Sequence, residues 1–252
     1  MCPAQIGKGD ILIYRNIKNM NNYIGIDISL NSTAIYIESN KGKFILSYTN
    51  KKDNNIYIKE LNSFGVCFFY NNKEKNDNYS ENEIIKLKYY DKLSKSILTE
   101  ITKKIDNNEK TYCQIEGYSF SKNTSSILDI VSFSTIIKID LINNINNINI
   151  TIISPKSLKL EACKLSYKPI NIGKKKIKYE YRNNEGVSGG SFKKPHMYRA
   201  MIEGKVKSPI YNMLILYKEL MDRDKIPNPI EDIIDSIFAC KIKINEIEND
   251  IR

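Results

Sequence analysis

Apolar residues fall into short, isoleucine-rich runs early in the chain and into longer, helically spaced runs later. The run at 23–28 (Tyr-Ile-Gly-Ile-Asp-Ile) is bounded by Asn and Ser, which predicts a buried strand. Along it Tyr23, Gly25 and Asp27 share one face, and Ile24, Ile26 and Ile28 the other. Stretches at 33–38 and 43–48 follow at hairpin spacing, joined across Asn40-Lys41-Gly42, so the three form an antiparallel meander. Residues 50–79 are an Asn/Lys-rich excursion whose apolar patch at 66–70 offers an edge strand.

Ser80 and Glu83 read as an S-x-x-E capping box before a long helix. Ile84, Leu87, Leu93, Ile97 and Ile101 fall roughly on one stripe of that helix. A strand is expected at 112–116, a helix at 123–141, an Asn-rich loop at 143–147, a strand at 150–153 and a short helix at 156–165. The polar, basic stretch 166–192 holds Lys174-Lys175-Lys176 and Gly189-Gly190 and reads as an exposed loop. Helices follow near 194–204 and 209–222. Pro229 suits the first turn of a last helix running to about 247. This order predicts an α/β fold with a mixed five-stranded sheet, antiparallel meander first and parallel crossovers later, flanked by helices. Residues 1–22 read as an extension, detachable or ordered, with Met20 as an alternative start. Residues 23–247 read as one domain with insertions near 50–80 and 166–192, and no repeat is visible.

Composition narrows the function classes. With 252 residues and 41% hydrophobic content the chain can bury a core, which excludes a wholly disordered protein. A formal net charge of +10 points to a polyanionic partner, nucleic acid or an acidic membrane surface. The Lys-, Ile- and Asn-rich composition is also what an AT-rich genome produces, so charge alone does not choose. Cys2, Cys67, Cys113, Cys163 and Cys240 stand apart with no CxxC pair, which argues against a disulfide framework and a zinc site. A reducing, intracellular setting is the expectation. No apolar run approaches a membrane span, and no signal-peptide core is present.

Four carboxylates stand out by position. Asp27 ends the first strand and Glu116 the fourth. Asp232 and Asp235 lie three apart near the start of the last helix, on neighbouring positions of one face. A charge at a buried strand end is costly unless paired or metal-bound. If the first and fourth strands are neighbours and the last helix crosses them, all four acids meet. Oxygen ligands so grouped suit Mg²⁺ or Mn²⁺, and two such ions can hold the attacking water and leaving oxygen of a phosphodiester. Each acid also has a plain structural role open to it: Asp232 and Asp235 in a first helical turn, Asp27 as a loop cap, Glu116 as a lysine partner.

The segment Tyr23 to Thr33 resembles the opening strand and turn of RuvC-like Holliday-junction resolvases, especially phage and viral ones, of the RNase H-like superfamily. Ile115-Glu116-Gly117-Tyr118-Ser119-Phe120 resembles their second acidic motif, and Asp232-Ile233-Ile234-Asp235-Ser236 their terminal D-x-x-D. Ser154 to Lys159 and Lys193 to Tyr198 resemble segments carrying lysines at the positions of Lys159 and Lys194. The resemblance spans about Tyr23 to Ile244 and is weak at 50–80 and 166–192. It implies a Mg²⁺-dependent endonuclease with two ions per site, Mn²⁺ able to substitute. It further implies a homodimer making paired symmetric nicks in a four-way DNA junction, in host cytoplasm or at a viral replication site, with no membrane partner. Asp27, Glu116, Asp232 and Asp235 would hold the metal. Lys159 and Lys194 would contact the backbone near the scissile phosphate, and Phe120, with Tyr118 beside it, would distort the DNA. The competing roles are solvated lysines and a core aromatic. His196, the single histidine, stays a phosphate-contact candidate against a surface or capping role. For the dimer face the helix at 123–141 is the expectation.

Three other readings compete. An actin-like or sugar-kinase ATPase also opens on a strand, an acid and a small-residue turn, but its second phosphate turn and Gly-rich adenosine motif are not found. A catalytically inert branched-DNA binder would keep the basic charge. Another RNase H-like nuclease, acting on flaps or RNA–DNA hybrids, shares the same constellation. The extra loops leave substrate preference open.

Overall fold

The computed structural model describes residues 21–50, 56–63, 65–71, 77–118, 124–173 and 178–250. Apart from Asn21 and Asn22, the expected extension at 1–22 lies outside them, as do Phe120 and Lys174 to Lys176. Three strands open the fold: β1 (Asn22–Asp27), β2 (Ser32–Ser39) and β3 (Gly42–Thr49). Helix α1 (Ile56–Ser63) and strand β4 (Cys67–Phe69) occupy the following excursion. Then come α2 (Tyr79–Lys104), β5 (Thr111–Glu116), α3 (Thr124–Asn144), β6 (Ile148–Ile153) and α4 (Pro155–Ser166). A hairpin of β7 (Pro169–Asn171) and β8 (Tyr179–Tyr181) precedes α5 (Lys194–Ile202), α6 (Tyr211–Leu216) and α7 (Ile230–Asp250).

The main sheet runs β4-β3-β2-β1-β5-β6. The β1–β2 and β2–β3 pairs are antiparallel, whereas β1–β5, β5–β6 and β3–β4 are parallel. A meander followed by parallel crossover strands is the RNase H-like arrangement. The sixth strand is β4, which adds the 66–70 patch to the edge. Ile24 and Ile26 of β1 join Ile35, Ile37, Cys113 and Ile115 in a core beneath α2 and α3. The opposite face carries a second core of α4, α5, α6 and α7 residues. Helix α7 is buried almost all round from Ile230 to Cys240, as a helix between a sheet and other helices must be.

Several local expectations need correction. Helix α2 is capped by Asn78, whose side chain accepts from the Glu81 amide at 3.2 Å, and not by the Ser80/Glu83 box. Its early apolar positions Ile84 and Leu87 are exposed, because the helix meets the sheet only from Tyr90 onward. The stretch 166–192 is no plain loop: it forms the β7–β8 hairpin and a 3₁₀ turn at Gly189–Ser191, and it buries Asn183 and Phe192. The expected helix at 209–222 is split into α6 and a 3₁₀ turn at Lys218–Asp222. The last helix extends to Asp250.

Candidate metal centre

Strand β1 pairs in parallel with β5, with Ile26 opposite Ile115, so the next residues, Asp27 and Glu116, leave the sheet side by side. The third acid comes from α7, which crosses over β1. Gly25 permits that crossing: a Cβ built there would lie 2.0 Å from the Ser236 carbonyl oxygen and 2.5 Å from the Cys240 amide nitrogen. The backbones of strand and helix are therefore in contact, and the first turn of α7 reaches the strand ends. One carboxylate oxygen each of Asp27, Glu116 and Asp235 lie within 4.8 Å of one another. Asp232 sits behind them, 6% exposed, against Asp27 and the Ser32 hydroxyl.

Such a group is electrostatically frustrated alone. Burial, then Glu116 and Asp232, pushes the Asp27 carboxyl well above the usual range, with Lys194 opposing. Burial also raises Glu116, while Lys194 and Lys159 pull it back. Asp232 is pushed up to about 6, chiefly by burial. Oδ2 of Asp232 and Oδ1 of Asp235 are buried with no hydrogen-bond partner among the described residues. Orphaned carboxylate oxygens in a ring of three or four acids fit a divalent cation with oxygen ligands.

Asp27, Glu116 and Asp235 line a cleft of about 370 Å³, and Asp232 lies outside its lining. Both predicted lysines reach it. Lys194, at the start of α5, ion-pairs with Asp235 and lies 3.8 Å from Glu231. Lys159 projects from the second turn of α4, a helix capped by Ser154, whose hydroxyl accepts from the Ser157 amide at 3.1 Å. Tyr118 also lines the cleft, its hydroxyl accepting from Lys138 Nζ at 3.0 Å. Phe120 lies outside the described residues. His196 is not brought to the cleft. Its Nδ1 accepts from the Lys193 amide at 2.9 Å, its Nε2 faces Glu185 at 3.3 Å, and its ring stacks on Phe192, which is a capping role.

Sequence reasoning missed Glu231, which lines the cleft and faces Lys194. The signal was present: Glu231 is four residues before Asp235, hence on the same helical face. It was hidden beside the more conspicuous Asp232–Asp235 pair.

No family model matches the sequence, and no curated protein matches it. Among solved structures, the chain is similar to Thermus thermophilus RuvC in complex with a Holliday-junction substrate, at 5% identity and a TM-score of 0.45, covering 91% of this chain and 96% of that one. A second Thermus thermophilus RuvC structure is similar at 7% identity and a TM-score of 0.44, with the same coverage of 91% and 96%. The yeast mitochondrial Holliday-junction resolvase Ydc2 is similar at 10% identity and a TM-score of 0.48, covering 90% of this chain and 79% of that one.

Proposed function

We propose that the chain is a divalent-metal-dependent DNA endonuclease of the RuvC-like type that cuts four-way junctions by paired nicks. The observation that carries the reading is the convergence of Asp27, Glu116 and Asp235 within 4.8 Å from two strand ends and a crossing helix. The junction as substrate, and kinship with phage and viral members, are what the motif resemblance supports.

Asp27, Glu116 and Asp235 would hold the divalent ions, with Asp27 as the shared ligand. Asp232 supports Asp27 from behind. Bound Mg²⁺ supplies Lewis-acid activation and charge neutralisation for in-line phosphodiester hydrolysis. Lys159 and Lys194 flank the acids and offset negative charge gathering on a phosphate in the cleft. Glu231 holds the Lys194 ammonium near Asp235. Ile127, Ile130 and Pro155 add an apolar part to the lining.

Paired nicks need two sites, hence a homodimer. Leu128, Ile139 and Ile142 of α3 are 65%, 51% and 60% exposed and share one helical face, and Ile152 of the edge strand β6 is 59% exposed. An apolar surface of this kind suits self-association through α3. The scattered thiols, with Cys113, Cys163 and Cys240 free and buried, suit a reducing compartment. No helix among the described residues is long and apolar enough to cross a membrane.

The test is cleavage of a labelled four-way junction in Mg²⁺ beside linear duplex, flap and RNA–DNA hybrid. Symmetric nicks on the junction alone are expected. Equal cutting of flaps or hybrids would replace the junction with a broader substrate, and tight junction binding without cutting in Mg²⁺ or Mn²⁺ would leave an inert binder.

A further inference from the structure

A second cleft, about 660 Å³, opens between the β4 edge of the sheet and α2. Phe68 and Tyr70 form one wall, Tyr89 of α2 the other, and Tyr48 the floor, whereas Phe69 alternates with them and turns to the other face of the sheet. Phe68 stacks on Tyr48 with ring centroids 4.9 Å apart, and Tyr70 lies 6.2 Å from Tyr89, tilted by 60°.

Two observations indicate what occupies the cleft. The first is position. Strands β1, β3, β4 and β5 run in the same direction, so Tyr70 leaves the sheet at the edge that carries Asp27 and Glu116. The Tyr70 hydroxyl donates to the Leu30 carbonyl at 3.0 Å, three residues beyond Asp27. The second is charge. Lys92 lines the cleft, and Lys88 lies one turn earlier on the same helix. Among the described residues nearby, Glu83 pairs with Lys86 and Asp91 with Lys95, which leaves Lys88 and Lys92 as the cations of that part of the rim. Aromatic faces beside free ammonium groups are the combination that binds unpaired nucleotides, which stack by their bases and pair by their phosphates. The volume falls in the range of small-molecule sites, enough for a nucleoside.

We propose that the β4–α2 cleft holds an unstacked base of a single-stranded DNA segment against Tyr70 and Tyr89, with the adjoining phosphate against Lys92. The inference rests on the reading of the chain as a DNA nuclease and adds a subsite for an unpaired part of its substrate.

The test uses the full chain without divalent ions, so that DNA is bound and not cut. An oligo-dT strand carrying iododeoxyuridine is photo-cross-linked to the wild-type protein and the adduct is mapped. The adduct is expected on Tyr70 or Tyr89. The double variant Tyr89→Leu, Lys92→Glu, with its folding checked by thermal melting, is expected to lose about fivefold or more in oligo-dT affinity, the lower bound for one lost stacked base. Its affinity for blunt duplex is expected to change less than about twofold, the scale of a single peripheral charge. Adducts confined to other regions, or unchanged oligo-dT affinity in the double variant, would overturn the proposal. Tighter binding of oligo-U RNA through the same residues would overturn the assignment to DNA. The nuclease reading stands or falls on cutting with metal, so the two outcomes are separable.

Discussion

At Gly25 the absence of a side chain sets how closely α7 lies on the sheet, and with it whether Asp235 reaches Asp27. The atoms a methyl group would meet are backbone, the Ser236 carbonyl and the Cys240 amide, and they cannot turn aside. Gly25→Ala is therefore expected to cost about 1–3 kcal/mol or more and to weaken metal binding. Urea unfolding and metal titration check this, and unchanged values for both would show that α7 has room to shift. A different logic applies to Glu38. Burial pushes its carboxyl up, but Lys241, the Tyr36 hydroxyl and Lys43 outweigh burial and hold it below the usual range. A depressed folded value means the cluster stabilises fully above the unfolded carboxylate value and fades as pH falls through the folded one. Glu38→Gln is expected to lose about 1–3 kcal/mol at neutral pH by leaving Lys241 unpaired. The gap to wild type should narrow below about pH 4, as denaturant melts across pH would show.

At the scale of elements, helix ends and sheet edges decided what could be read in advance. The Asn78 cap predicts that Asn78→Ala lowers stability by about 1 kcal/mol while Ser80→Ala changes little, measured by thermal melts. Ser80 and Glu83 satisfied the capping pattern, yet an equally good cap stood two residues earlier, and local pattern cannot choose between competing caps. The strands were legible because Ile24, Ile26, Ile35 and Ile37 alternate cleanly and bury one face. The stretch 166–192 was not, because its buried residues have no period. Asn183 is held by local hydrogen bonds, Gly189 by its contact with Leu160, and Phe192 by aromatic neighbours. Asp27 and Glu116 were legible as acids ending apolar strands. For His196 the sequence left a phosphate contact and a capping role open, and it takes the capping role, its Nδ1 accepting from the Lys193 amide and its Nε2 facing Glu185.

For the whole molecule, the proposed metal site would couple folding to metal binding. Four carboxylates held together by burial oppose the folded state, so a ligand bound only by the folded chain should stabilise it. Mg²⁺ at about 100 times its dissociation constant is expected to add about 2.7 kcal/mol and a matching rise in melting temperature. Asp27→Asn removes a repelling charge and should melt higher than wild type without metal, while losing most of the Mg²⁺-dependent rise. Differential scanning calorimetry with and without Mg²⁺ separates the two effects. The measurement that bears most directly on the central claim is metal-dependent nicking of a four-way junction by wild type, Asp27→Asn and Asp235→Asn under equal junction binding. Cutting by the wild type in Mg²⁺, abolished by chelation and reduced at least about 10²-fold in both variants, is the predicted result. Undiminished cutting by either variant would contradict a catalytic centre built on these carboxylates.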